Sequence, residues 1–221
     1  MPQWDIGYFD SSVKRTVEDR KITNRIIAWE LGKEYYDGAR ENGYGGFIYD
    51  GRWKTLIPKI IDRYGLTPAS AVLDLGCKKG FFINDLKECV PGITALGVEN
   101  HPYPVENGLP SVRTDVTIAP YTELPFADGS FDFVMGFSSI YMLNLGDVVK
   151  CLKEIQRVGT GKSYITVAGY RTLEERDLFL RWTLIGSTVL HEDEWLELFD
   201  TVGYTGDYFF TGARSLNLQR E

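Results

Sequence analysis

The chain has 221 residues, 43% of them apolar and 25% charged, which suits one soluble domain with its own hydrophobic core and argues against disorder. Its formal charge of −7 argues against binding to phosphate backbones. Cys77, Cys89 and Cys151 form no CxxC pair, and His101 and His191 lie far apart in sequence, so neither a disulfide framework nor a metal site is signalled.

In chain order, MPQWDIGYFD carries acids and lacks the apolar run of a signal peptide. The most apolar stretch, Phe131 to Leu143, is too short for a membrane span of roughly 20 residues. A cytoplasmic protein without a membrane partner is therefore expected. Lys21 to Ala39 places Ile22, Ile26, Ile27, Trp29, Leu31, Tyr35 and Tyr36 at helical spacing, which predicts a helix ending near Asp37-Gly38. ENGYGGFIYDGRW, 41–53, interleaves glycines with Tyr44, Phe47, Tyr49 and Trp53 and reads as a glycine-rich aromatic loop. A second helix is predicted from Trp53 to Tyr64, stopped by Gly65. From residue 71 strands and helices alternate. Strands are predicted over 71–76, 94–100, 111–115, 131–139 and 162–170, helices over 81–90, 145–158 and 193–202, and a closing pair over 206–212 and 215–220. The alternation implies an α/β fold: a mostly parallel sheet with helices on both faces, binding ligands at the C-terminal ends of its strands.

Four motifs fall at such strand ends. Val72-Leu73-Asp74-Leu75-Gly76-Cys77-Lys78-Lys79-Gly80 ends an apolar strand with an acid and turns through glycines into a helix, which suits close backbone approach to an anionic ligand. The alternative is a turn that only joins strand to helix. A dinucleotide fingerprint would need a third glycine in register, and a Walker loop would need GKS or GKT; neither is present. Glu99 ends the next predicted strand, where an acid can accept both hydrogen bonds of a ribose diol. Asp115, followed by Val116, ends the third, where an acid and a neighbouring N–H can read an adenine edge. LPFADGSFDFVMGFSS, 124–139, places a turn before a buried strand that empties at Ser138-Ser139-Ile140-Tyr141.

In series these motifs resemble the class I S-adenosylmethionine-dependent methyltransferases, in their broad small-molecule group. VLDLGCKKG resembles the glycine-rich first motif, GVEN the acidic second motif, and TDV with LPFADGSFDFVMGFSSIYML the later ones. GYGGFIYDGRW and GYTGDY resemble a bacterial subgroup. The resemblance implies a Rossmann-like, mostly parallel seven-stranded sheet with an N-terminal helical and lid extension, 1–53, before a methyltransferase domain, 54–221. It implies S-adenosylmethionine as cofactor and S-adenosylhomocysteine as product. Asp74, Gly76 and Gly80 would shape the cofactor loop, Glu99 would hold the ribose, Asp115 and Val116 would read the adenine, and Ser138 would lie beneath the methionine part. Lys78 stands where the family usually has glycine and would pair with the cofactor carboxylate. Tyr141 stands where the family often has histidine.

The acceptor side is less defined. Tyr44 and Arg52 on the glycine-aromatic loop would close over the cofactor; the alternative is that the loop anchors the N-terminal helices. His191, before the 193–202 helix, is the candidate general base, with helix capping as the alternative and Tyr141 as a second catalytic candidate. The expected activity is methyl transfer to a small polar molecule, at oxygen, such as a sugar or another polysaccharide-pathway intermediate. The rival is a non-catalytic module that binds the same nucleoside.

Overall fold

The computed structural model describes residues 2–220. The first elements are β1 (Arg15–Val17), α1 (Ile22–Trp29) and α2 (Lys33–Tyr36), then short 3-10 turns at Arg40–Asn42 and Arg52–Thr55 and the helix α3 (Ile57–Tyr64). The single helix predicted over 21–39 is broken because Leu31 adopts φ 51° and Gly32 restarts the chain in an extended conformation. The second half of the predicted 53–64 helix survives as α3, with Gly65 in the left-handed conformation as its stop.

The alternating region comprises β2 (Ala71–Leu75), α4 (Phe81–Cys89), β3 (Thr94–Glu99), α5 (Pro102–Glu106), β4 (Val116–Ile118), β5 (Phe133–Gly136), α6 (Leu145–Val158), β6 (Ser163–Tyr170), α7 (Leu173–Trp182), β7 (Val189–His191), α8 (Glu192–Val202), β8 (Asp207–Thr211) and β9 (Leu218–Arg220). Seven strands form the main sheet, in the order β4-β3-β2-β5-β6-β7 with β8 also on β6, and each pairing is parallel. Ala168 pairs with Val189 on one side and Thr211 on the other. Thus β7 continues the side of β6 that β5 has left. The expected Rossmann-like sheet with helices on both faces is present.

Side chains alternate across the sheet as the two-residue strand period requires. Val72, Phe133 and Met135 pack with Ile57, Ile60, Phe82, Ile83 and Leu86 of α3 and α4. Leu73, Leu75 and Val134 pack on the other face with Leu152 and Ile155 of α6 and Trp195 and Phe199 of α8. The N-terminal 53 residues do not stand apart from this body. Ile6 is 1% exposed in the α3–α4 core, Gln3 bridges to Tyr208, and β1 pairs with β9 in a separate two-stranded sheet.

Three further expectations are corrected. Residues 110–115 form a 3-10 turn opened by Pro110, and the third strand starts only at Val116. The predicted 131–139 strand is confined to Phe133–Gly136. The predicted closing pair 206–212 and 215–220 does not pair with itself: β8 adds to β6 and β9 pairs with β1. No helix among the described residues is long and apolar enough to cross a membrane.

Phe133 is fully buried on a central strand and stacks on Tyr64 with ring centroids 4.2 Å apart. Phe133→Ala should cost about 3–5 kcal/mol through lost transfer energy and the cavity left behind. Urea denaturation should show a lower midpoint at unchanged slope.

Candidate active site

The C-terminal ends of β2, β3 and β5 converge on one loop system. After Leu75 the chain reverses at Gly76, whose φ is 78° and whose missing Cβ would lie 2.4 Å from Ser139 Cβ. A side chain there would collide with the β5 exit, so glycine is required on both counts. The Gly76 and Cys77 N–H groups both donate to Val98 O, at 2.8 and 3.2 Å. Gly80, at φ 77°, precedes α4 and takes the loop into the helix.

Glu99 fixes this loop from the β3 end. Its carboxylate accepts from Lys78 N at 2.9 Å, Asn100 N at 2.8 Å and the Tyr121 hydroxyl at 3.0 Å. The residue is 2% exposed. Lys78 takes the left-handed conformation, φ 53°, that the family's glycine would take freely, and its Nζ folds back onto Gly76 O and Phe137 O. The loop therefore bends as a glycine-bearing one would, at the cost of local strain. Ser138 is the second non-glycine residue here at positive φ, 51°. Its N–H donates to Thr166 Oγ1 at 2.7 Å. Its buried Oγ makes no well-formed hydrogen bond among the described residues, although the Tyr141 phenol lies close enough to feel it.

These ends open into a cavity of about 440 Å³. Asp74, Gly76, Cys77, Lys78, Phe137, Ser138 and Tyr141 line it from the sheet side. Tyr8, Tyr35, Tyr44, Phe47, Arg52 and Trp53 line it from the N-terminal segment, and Met142, Trp182, Leu184 and Ile185 close a further side. Aromatic contacts make the walls continuous: Tyr8 lies 4.4 Å from Phe137, Trp53 lies 5.1 Å from Phe137, and Phe47 stacks on Phe81 at 4.8 Å between ring centroids.

Asp74 is the notable acid. It faces the cavity, is 5% exposed, and its carboxylate has no hydrogen-bond partner among the described residues. Burial raises its pKa to about 7, with the Lys78 charge opposing and the Glu99 charge adding to the shift. Burial likewise pushes the phenols of Tyr44 and Tyr141 up to about 12. Arg52 pairs with Asp50 at 2.5 Å inside the glycine-aromatic loop and lies over the Tyr8 ring.

Of the residues expected at the site, Tyr44, Arg52, Asp74, Gly76, Lys78, Ser138 and Tyr141 meet around the cavity. Gly80 and Glu99 stand behind it and hold the loop. Asp115 and Val116 are not brought to it. Asp115 precedes β4 instead of ending it, and its carboxylate pairs at 2.6 Å with Lys87 in the last turn of α4. Val116 begins β4, two residues before the strand end that lies level with Glu99. His191 also lies outside the cavity lining. It caps α8, accepting from Asp193 N at 3.3 Å, with Nε2 3.3 Å from Arg171 O, so capping is its structural role. Sequence reading missed Tyr8, Arg15, Arg20 and Arg40, all on the cavity wall. Most of them stand in segments without helical or strand periodicity, and no local pattern marks them.

Residues 73–166 match a family model described as a methyltransferase domain. Residues 73–166 thus carry the segment typical of class I S-adenosylmethionine-dependent methyltransferases. The methyl donor of this family is S-adenosylmethionine. Over 131 residues this chain is 30% identical to a ubiquinone/menaquinone biosynthesis C-methyltransferase, UbiE, of Geobacter sp. (strain M21), covering 56% of this chain and 54% of that protein. A second UbiE, from Citrifermentans bemidjiense, is 29% identical over the same shares. The chain thus spans about half the length of the curated relatives it matches. Among solved structures, the fold is shared with a chain of the Haloferax volcanii complex containing the Trm112 methyltransferase activator, at TM-score 0.55 and 22% identity, covering 85% of this chain and 77% of that one. It is shared also with a SAM dependent methyltransferase from Archaeoglobus fulgidus, at TM-score 0.52 and 20% identity over 68% of each chain.

The perturbed Asp74 has a measurable consequence. Its folded-state pKa of about 7 lies above its ordinary 3.8, so the folded chain binds the extra proton between those values. The protonated form is favoured at low pH, and stability falls as pH rises through about 7. Asp74→Asn lacks this slope. Its stability relative to wild type should rise from about pH 5 to pH 8 in urea denaturation without ligand; an equal difference at both pH values would remove the perturbed acid from the account.

Proposed function

We propose that the protein transfers a methyl group from S-adenosylmethionine to a small polar molecule, with oxygen as the acceptor atom. The observation that carries this reading is the nearly buried Asp74 carboxylate on the cavity lining, beside the buried Ser138 Oγ and a glycine turn that admits no side chain. An ionised Asp74 suits the cofactor's ammonium, and Ser138 Oγ suits its polar methionine end. Lys78 Nζ, held only by two carbonyls, suits its carboxylate. The Glu99 carboxylate, engaged by Lys78 N, Asn100 N and the Tyr121 hydroxyl, braces the loop from behind. When bound, the cofactor supplies a methyl group already activated on a sulfonium.

The chain's own contribution is alignment and exclusion of water. The aromatic walls enclose the reacting groups, and positioning of this kind is worth up to about 7–11 kcal/mol in the best intramolecular cases. General-base catalysis finds little support. Asp74 is assigned in this reading to the cofactor's ammonium, the Tyr44 and Tyr141 phenols hold their protons to about 12, Asp50 is tied to Arg52, and His191 lies elsewhere. An acceptor oxygen that is already ionised, or ionises readily in water, suits such a cavity. The cytoplasmic setting expected from the sequence belongs to the same proposal.

Calorimetry with S-adenosylmethionine tests the cofactor site. Binding is expected, and Asp74→Asn should weaken it roughly 10- to 150-fold, equivalent to about 1.5–3 kcal/mol for a hydrogen bond to a charged group. His191→Asn should leave binding and turnover within a few-fold of wild type. Binding without turnover on any acceptor would favour the non-catalytic module. Transfer to carbon, as the name of the curated relatives denotes, would overturn the oxygen assignment.

A further inference from the structure

The cavity's charge opposes that of the chain as a whole. The chain carries a formal −7, yet the cavity lining holds Arg15, Arg20, Arg40, Arg52 and Lys78 against only Asp50 and Asp74. Arg52 is neutralised by Asp50. Arg15, Arg20 and Arg40 have no carboxylate within ion-pair distance among the described residues. Their partners are backbone carbonyls only: Asp10, Val13 and Leu216 for Arg15, Arg40 and Glu41 for Arg20, and Gly43 and Tyr44 for Arg40.

Each of these bonds leaves from a single nitrogen, Nη1. Nε and Nη2 of all three guanidiniums therefore have no protein acceptor among the described residues. An arginine held through one nitrogen keeps donors on the others for a planar anion. Burial and the neighbouring charges of Arg40 and Arg25 hold the Arg20 pKa below its ordinary value, outweighing Glu18 and Glu41 nearby. Arg20 Nη1 reaches Arg40 O at 3.4 Å, and two such neighbouring charges without counter-charge create a positive potential that cavity walls of low dielectric focus. Trp182 and Leu184 line the same cavity, so an apolar body would find contact beside the charged group.

We propose that Arg20 and Arg40, with Arg15 further along the same cavity lining, form an anion subsite and that the methyl acceptor is a small organic carboxylate with a planar apolar body. This rests on the methyl-transfer reading for the word acceptor, but the anion site itself does not depend on it. The subsite belongs to residues before the sheet, whereas the cofactor-side groups belong to β2, β3 and β5.

The test compares benzoate, cinnamate and 2-naphthoate with their neutral carboxamides by calorimetry, with and without S-adenosylhomocysteine. At least one acid should bind ten-fold or more tightly than its amide to the wild type. That preference should fall below about three-fold in Arg20→Gln/Arg40→Gln, with S-adenosylhomocysteine affinity unchanged. If no acid outbinds its amide, or if the preference survives in the double variant, the proposal is overturned. The wild-type comparison decides even where the double variant does not fold. Failure of S-adenosylhomocysteine to bind would overturn the methyl-transfer reading, while the acid–amide comparison without it would still decide the anion site.

Discussion

Three segments of the chain meet at one carboxylate. Glu99 accepts from the loop after β2, from its own following residue and from Tyr121 beyond β4. An acid in an apolar interior is tolerated only when its oxygens are supplied with donors, and here each donor comes from a segment that could otherwise drift. The turn at Gly76 and the left-handed Lys78 depend on that anchor, and so does the cavity face they present. Burial and the Glu99 charge together push the Tyr121 phenol well above its ordinary pKa, so it remains a donor throughout the physiological range.

Strain is concentrated at the same place. Lys78 and Ser138, both without glycine's freedom, take positive φ on the cavity side of β2 and β5. Such conformations cost of order 1–3 kcal/mol each and persist where surrounding contacts over-determine them. Lys78 is held by its N–H on Glu99 and its amine on two carbonyls; Ser138 is held by Thr166. Both positions thereby aim polar atoms into the cavity that relaxed backbone would turn away.

The sheet and its cofactor side were legible in the sequence because they follow local rules. AVLDLG is a buried strand closed by a turn residue, and GVE repeats the pattern one strand on. The errors share a cause, which is long-range contact. SVRTD has the look of a strand end, but Pro110 opens a 3-10 turn and pairing with β3 begins only at Val116. His191 has the right position in sequence for an active-site base, yet its ring is occupied in capping α8. The arginine wall left no trace, since residues 15, 20 and 40 lie in short or irregular segments and only the folded chain places them on one cavity.

The two sides of the cavity have different origins in the chain. The segment matched by the family model, 73–166, carries Asp74, Gly76, Lys78, Ser138 and Tyr141. The arginines, Tyr8, Trp53 and Trp182 all lie outside it. The cavity thus joins a wall inside the matched segment to a wall outside it. Substitutions on the outer wall can exchange one substrate for another without touching the strand ends or the acid that braces them. Such an arrangement gives evolution a replaceable half and a fixed half, and chimeras joined near residue 70 would exchange most of the former while conserving the latter.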